Sequence, residues 1–404
     1  MERAWLEAVQ RRSREFEQGL VKPVLGEEVS ARAREELENQ RGRGFTRPPT
    51  SMHPNLGYSY YAMHTREQAM RAWELQDDWG IEHLRLVDNP APTARPGQIV
   101  VGMGAASLNY RDLMTVQGKS PGVKLPLIPF SDGAGEVIQV GDGVTRVAEG
   151  DRVCPMFFQS WIDGGPTAER RSKALGGPLP GVLQAEMLLD AEGVAHFPAH
   201  LSLSEAATLP CAALTAWRAL VVEGELRPHD TVLLQGTGGV ATFALMFAKV
   251  LGARAIVISS SDKKLEQARA RGADDLINYR STPEWERAVM ELTDGVGVDH
   301  ILELGGKESI NRSLKAARVG GKVMIIGVLS GFSQEIAMRS IYGKNLRLIG
   351  LSVGSRAHFE DMSRTIAQHG LRPVIDTTLP FDAVPDGLRR MEAGAHVGKI
   401  CFEL

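Results

Sequence analysis

The stretch Leu233-Leu234-Gln235-Gly236-Thr237-Gly238-Gly239-Val240-Ala241 sets the reading of the whole chain. It fits the pattern G-x-G-x-x-G/A, with Gly236, Gly238 and Ala241 in the three small positions. An apolar strand-like run, 231–235, precedes it, and an apolar helical run, 240–251, follows. Each small residue has a physical task. The first glycine permits a tight turn, and the second lets backbone approach a diphosphate. The third position must be small so that the helix lies close to the strand. Amides at the helix start then face the negative diphosphate. The stretch is therefore expected to bind a dinucleotide. The same glycines without a strand and a helix around them would be no more than a turn.

Outward from the loop, short apolar runs recur at 231–235, 255–259, 275–278, 300–303, 322–326 and 346–351. Helix-length amphipathic segments, such as 263–271, 283–293 and 307–317, lie between most of them. Such alternation predicts an α/β fold with a parallel, doubly wound sheet. The second strand bears on cofactor choice. An NAD site usually carries Asp or Glu at its end to hold the ribose 2′-hydroxyl. Here the strand ends in Ser259-Ser260-Ser261, and Asp262, Lys263 and Lys264 follow. Serine hydroxyls and a lysine suit a 2′-phosphate, so NADP(H) is the expected cofactor, with Ser259, Ser260 and Lys264 as contacts. Ser261 or Asp262 would also serve as a helix cap. Asp262 reaching the ribose would favour NAD instead.

Upstream, residues 69–200 carry short β-rich runs at 83–87, 99–105 and 135–140, separated by Gly/Pro turns. They read as a compact β-rich domain. Residues 1–45 are charged and show helical spacing, with Trp5, Val9, Phe16 and Leu20 recurring on one face, and residues 46–59 read as a linker. This 1–68 extension is expected to be helical. It would pack on the main body or a second subunit, or offer a protein contact through 1–58.

With 404 residues, 43% hydrophobic and 24% charged, the chain can bury a sizeable core. A net charge of -3 provides no strong attraction for nucleic acid or anionic membrane. No run approaches the roughly 18 apolar residues of a membrane helix, and the N-terminus lacks an apolar signal core, so a cytoplasmic location is expected. The three cysteines, Cys154, Cys211 and Cys401, are too few for a disulfide scaffold or a CxxC zinc cluster.

Several segments, in order, resemble the medium-chain dehydrogenase/reductase superfamily, and within it the zinc-independent quinone and enone reductase branch. They are Asn109-Tyr110-Arg111-Asp112, Gly133-Ala134-Gly135-Glu136-Val137, Gly150-Asp151-Arg152-Val153, Leu209-Pro210-Cys211-Ala212-Ala213-Leu214-Thr215-Ala216, the DDLINY run at 274–279, and Gly398-Lys399-Ile400. The resemblance covers 69–404. It implies a GroES-like catalytic domain (69–201 and 352–404) and a Rossmann cofactor domain (202–351). It implies diphosphate contacts from Gly236, Thr237, Gly238, Gly239 and Val240, and 2′-phosphate contacts from Ser259, Lys264 and Tyr279. Thr215, Gly327 and Val328 fall where relatives line the nicotinamide, and Asn109 falls near the nicotinamide ribose. A homodimer is also expected.

Zinc-dependent relatives place Cys at the position of Asn109 and His at that of Ser131. Catalytic zinc needs three converging protein ligands. Cys211 alone remains at a ligand position and is read as a small buried residue, so no metal site is expected. Without Lewis acidity, positioning and hydrogen bonding must carry the hydride transfer. Reduction of an electron-poor C=C or a quinone, as small-molecule substrate, fits that limit. Asn109 and Tyr110 are the candidate catalytic residues, with Tyr110 as proton or hydrogen-bond donor or as a packing tyrosine. Arg111 and Asp112 are expected to form an ion pair. Phe157, Phe158 and Trp161 suit either a lid over an apolar pocket or a loop tucked on a small core. Two other readings remain open: an alcohol dehydrogenase or carbonyl reductase, and a non-catalytic NADPH-binding adaptor.

Overall fold

A computed structural model describes residues 69–404 apart from Val328 and Phe332. The expected helical extension over 1–68, the protein contact through 1–58 and the cofactor role of Val328 lie outside the described residues.

The apolar runs become two large sheets and a separate two-stranded one. Strands β1 (Ala69–Leu75) and β2 (Leu84–Pro90) pair antiparallel at the start. β3 (Gln98–Leu108), β4 (Asp132–Val140), β5 (Arg152–Pro155), β6 (Glu186–Asp190) and β7 (Val194–His196) follow. β3 is long and buried along most of its length, because it has a neighbour on each side: β4 on one edge and a late strand on the other. That late strand is β15 (Lys399–Glu403), which returns from the C-terminus with β14 (Ile375–Pro380) beside it. The order is β14-β15-β3-β4-β5-β7, with β6 also on β3. Nothing in the local sequence announces that β15 closes on β3.

The second sheet holds β8 (Thr231–Gln235), β9 (Arg254–Ser259), β10 (Asp275–Asn278), β11 (Val298–Glu303), β12 (Ala317–Ile325) and β13 (Arg347–Gly350). Its order is β10-β9-β8-β11-β12-β13, all parallel. Counted from β8 this is 3-2-1-4-5-6, the doubly wound Rossmann order, whose switch point lies between β8 and β11. Val232, Leu233 and Leu234 are fully buried, as a strand covered on both faces requires.

Five helices matter for the site. α1 (Tyr110–Val116) begins where β3 ends. α2 (Leu214–Trp217) lies between two π-helical turns, Leu209–Ala213 and Arg218–Val222. α3 (Gly239–Val250) follows β8, and α4 (Asp262–Arg269) follows β9. α5 (Arg356–His369) leads back to the first sheet. One core cluster spans both halves: Phe157, Phe158 and Trp161 pack with the α2 region, Phe243 and Phe247 of α3, and Phe359 of α5. Among the described residues no helix is long and apolar enough to cross a membrane.

Candidate functional site

The glycine loop lies at the switch point, where doubly wound sheets bind ligands. Gly236 has φ 79, a left-handed conformation that favours glycine. Its N–H donates to Ile258 O at 2.7 Å, which ties the turn to β9. A Cβ on Gly236 or Gly238 would meet nothing within 4 Å. The protein itself therefore does not need glycine at 238; the space in front of it is left open. Gly239 differs, since its Cβ would stand 2.7 Å from Lys399 Cδ and 3.2 Å from Ala212 Cβ. A strap from the C-terminal region crosses the loop. Gly398 N–H donates to Thr237 O at 2.9 Å, and Val397 packs beside Gly236 and Ala241. An open cradle at a helix N-terminus fits a dinucleotide, which Gly236, Thr237, Gly238, Gly239 and Val240 would hold through backbone.

Beneath the loop, Gln235 Nε2 donates to Glu303 Oε2 at 2.8 Å, and its Oε1 accepts from the N–H groups of Leu304 (3.1 Å) and Gly305 (2.9 Å). Fully buried Glu303 also accepts from Gly305 and Gly306 N–H at 3.0 and 2.9 Å. This knot fixes the ends of β8 and β11 at the height of the cradle. Gly327, expected at the nicotinamide, packs so tightly that its Cβ would lie 2.0 Å from Leu304 O. Thr215, the other such residue, is buried on α2.

At the end of β9, Ser259 is buried, Ser260 is half-buried, and Ser259 O accepts from Tyr279 N–H at 3.0 Å. Serine and tyrosine are thus adjacent, and Tyr279 is 41% exposed. Lys264 is already engaged: its Nζ donates to Gly394 O (2.7 Å) and His396 O (3.0 Å) on the strap. A phosphate would have to draw it from those carbonyls. Asp262 Oδ1 accepts from Asn278 Nδ2 at 2.7 Å.

The polar centre forms where the ends of three strands meet. Ile400 of β15 pairs with Leu108 of β3, and Ser107 pairs with Asp132 of β4. That register brings Asn109, Ser131, Asp132 and Lys399 together. Lys399 is 2% exposed; its Nζ donates to Asn109 Oδ1 and, at 2.7 Å, to Leu108 O. Asn109 Nδ2 donates to Ser131 Oγ at 3.3 Å, and Ser131 Oγ donates to Asp132 Oδ1 at 2.8 Å. Asp132 Oδ2 accepts from Cys211 N–H at 2.9 Å, across to the first π-turn. Asp112 Oδ2 accepts from Asn109 N–H at 2.9 Å, and its Oδ1 takes the expected ion pair with Arg111 at 3.1 Å. Burial raises the Asp112 carboxyl to about 6, against the lowering pull of Arg111. Burial likewise raises Asp132, while Lys399 lowers it.

Zinc binds thiolate, imidazole or carboxylate, so in this centre Cys211 and Asp132 are of the zinc-binding types, while the Asn109 carboxamide and the Ser131 hydroxyl are poor donors. Burial and the Asp132 charge push the partly buried Cys211 thiol well up. The Lys399 ammonium already supplies a positive charge at Asn109. Among the described residues no group of three or more His, Cys, Asp or Glu side chains could hold a metal ion.

Tyr110, at the first turn of α1, is 40% exposed, so its ring is available beside the centre. Phe157, Phe158 and Trp161 are 7%, 6% and 0% exposed, so these rings are core and not a lid. Arg111 stacks on Phe157 at 5.1 Å, and Arg218 on Trp161 at 5.0 Å. Sequence reasoning assigned no role to Lys399, Asp132 or Glu303. The Gly398-Lys399-Ile400 motif was visible, but its partner lies 290 residues away.

Residues 95–199 match the family described as alcohol dehydrogenase GroES-like domain, and residues 239–368 match the zinc-binding dehydrogenase family. A zinc-type alcohol dehydrogenase-like protein of Schizosaccharomyces pombe is 39% identical over 333 residues, covering 80% of this chain and 96% of the relative. Acryloyl-coenzyme A reductase of Metallosphaera sedula is 26% identical, covering 78% of this chain and 95% of the relative. A candidate alcohol dehydrogenase from Sinorhizobium meliloti superposes with TM-score 0.78 at 40% identity, over 84% of this chain and all (100%) of the other. An NAD-dependent alcohol dehydrogenase structure gives TM-score 0.76 at 31% identity, over 83% of this chain and 99% of the other.

Proposed function

The chain belongs to the medium-chain dehydrogenase/reductase superfamily and is an NAD(P)-dependent oxidoreductase, and from that premise we propose that it uses NADPH to reduce the activated C=C of enones or enoyl compounds, or quinones, without catalytic zinc. The observation that carries this reading is the polar centre: Asn109 and Ser131, where the resemblance puts the metal donors of zinc-dependent relatives, are each held by a hydrogen bond to a charged side chain. A bound nicotinamide dinucleotide supplies the hydride. The chain's own contribution is placement. The glycine loop would fix the diphosphate, and Gly327 and Thr215 would bound the ring. As hydride reaches the β-carbon, charge gathers on the carbonyl oxygen. Preorganised donors stabilise such charge, and Asn109 Nδ2 and the Tyr110 hydroxyl are the candidates here. The proton that completes the reduction would come from Tyr110 or from water.

NADPH is favoured over NADH because the end of β9 presents serines beside Tyr279, and the nearby Asp262 carboxylate is drawn to Asn278. A carboxylate so engaged is a poor partner for a ribose 2′-hydroxyl. A cytoplasmic homodimer completes the proposal; β13 ends its sheet, and Met338 and Tyr342 nearby are 67% and 72% exposed. The names of the relatives support a second reading, an alcohol dehydrogenase or carbonyl reductase. A panel of enones, quinones, ketones and secondary alcohols, each run with both cofactors, separates the two. The proposal expects NADPH oxidation by an enone or quinone, with kcat/KM about tenfold or more above NADH. Turnover confined to ketones and alcohols would establish the second reading.

A further inference from the structure

Two strands bound the switch point, and each ends in a buried polar side chain. Gln235 is the last residue of β8, and Glu303 is the last residue of β11. The bonds between them have a fixed direction. Gln235 Oε1 accepts from the N–H groups of Leu304 and Gly305, so its Nε2 must donate, to Glu303 Oε2 and, at 2.8 Å, to Ser313 Oγ. Ser313 Oγ thus accepts from Gln235, and its own proton goes to Glu303 Oε2. At the other oxygen, Oε1, the N–H groups of Gly305 and Gly306 converge with the Ser309 hydroxyl. One carboxyl group therefore faces two backbone amides, a carboxamide and two hydroxyls, all donating. A carboxylate accepts and never donates, so this is the donor set of an anion.

None of the five donors carries a charge. The acids Asp112, Asp230 and Asp299 face Arg111, His300 and Arg318 respectively. Glu303 instead keeps its negative charge among neutral groups, out of contact with solvent. It does so at the carboxyl ends of the strands, where doubly wound sheets bind dinucleotides. In that fold the adenosine half lies over the end of the second strand, here β9, so the other half falls across the switch point, over β11 and β12. Glu303 O accepts from the N–H groups of Ile326 and Gly327 at 3.0 and 2.9 Å, which ties the ends of those two strands together. The oxidised nicotinamide ring is a cation, and the reduced ring is neutral.

We infer that Glu303 is a fixed negative charge beneath the crevice that favours the oxidised dinucleotide over the reduced one, and so eases the departure of hydride from the ring. It acts through its field and not by contact. The inference rests on the binding of a nicotinamide dinucleotide, but on neither the 2′-phosphate nor the identity of the substrate.

Calorimetry on the full chain tests this, with the oxidised and reduced forms of whichever couple the wild type prefers, NADP(H) or NAD(H). The readout is the ratio of the two Kd values, oxidised over reduced, with melting temperature measured alongside. In Glu303→Gln the ratio is expected to rise about fivefold or more, because the cationic form alone loses a favourable charge. A mere brace would weaken both forms alike, so a ratio within about twofold of wild type would overturn the inference. The exchange Gln235→Glu with Glu303→Gln moves the carboxylate to the neighbouring strand end and leaves every donor of the knot an acceptor. Its ratio should return to within about threefold of wild type. A ratio that stays at the Glu303→Gln value would show that charge was not the cause, and would overturn the inference too. If Glu303→Gln does not fold, because two amide nitrogens then face each other, Gln235→Met removes one of them. Glu303→Gln is then read against Gln235→Met alone, with the same two outcomes. A wild type that binds no nicotinamide dinucleotide would remove the cofactor reading and this inference together. Binding without turnover on any substrate would count against the proposed function alone, because the ratio reads affinity.

Discussion

The glycine loop and the polar centre lie side by side, and they are built in opposite ways. The loop recognises by what it leaves out: at Gly236 and Gly238 the protein places no atom within 4 Å of a would-be side chain. The centre recognises by what it fills: Asn109, Ser131, Asp132 and Lys399 are all buried, each with a hydrogen-bond partner. An open cradle accepts any dinucleotide diphosphate, so it defines a superfamily. A filled centre selects one chemistry, and here it holds an ammonium against a carboxamide.

If that contrast is right, the two regions should break differently. The largest effect is expected where the floor of the cradle has no room. Gly327→Ala would drive a Cβ to 2.0 Å from Leu304 O. Overpacking against backbone should cost about 3 kcal/mol, read as a lower denaturation midpoint. The centre should respond through charge. With Asp112 at about 6 in the folded protein and 3.8 as its ordinary value, the native state holds the extra proton between those pH values. Stability therefore falls as pH rises from about 4 to about 6, and the cost of the buried charge is complete above 6, at most about 3 kcal/mol. Asp112→Asn should flatten that slope in denaturant titrations across the window; an unaltered slope would remove Asp112 from the account.

The cradle's open face should respond in binding and not in folding. Gly238→Ala meets no neighbour, so melting should stay near wild type while dinucleotide affinity falls about tenfold or more. A fall in melting with unchanged affinity would reverse the assignment. The smallest effect is expected at Lys264, which divides its ammonium between strap carbonyls and any 2′-phosphate. Lys264→Ala should weaken NADPH by about fivefold and leave NADH nearly unchanged. Equal losses for both cofactors would mean that Lys264 only holds the strap.

The same contrast explains how much was legible in the sequence. The Rossmann half could be read because its signals are local. Strand, glycines and helix follow one another over 231–250, and the structure returns them within one or two residues as β8, the turn and α3. The resemblance named Asn109, Ser131 and Cys211 together, and the fold brings them to one centre. The pairing of Lys399 with Asn109 could not be read. It depends on β15 returning to the edge of β3, a tertiary choice that no local pattern carries. The aromatic run at 157–161 was ambiguous for the same reason. Its rings belong to a core completed by α3 and α5, roughly 80 to 200 residues further on. The Glu303 knot was hidden because a lone Glu at a strand end gives no sign of how many donors will surround it.

The central claim is that hydride transfer here relies on this hydrogen-bonded centre and on no metal. The most direct test measures NADPH oxidation with an enone or quinone before and after exhaustive chelation, alongside the zinc content of the same samples. The account predicts negligible zinc in the chelated protein and an unchanged rate. Stoichiometric zinc in the untreated protein, with activity lost on its removal and restored on its return, would contradict it.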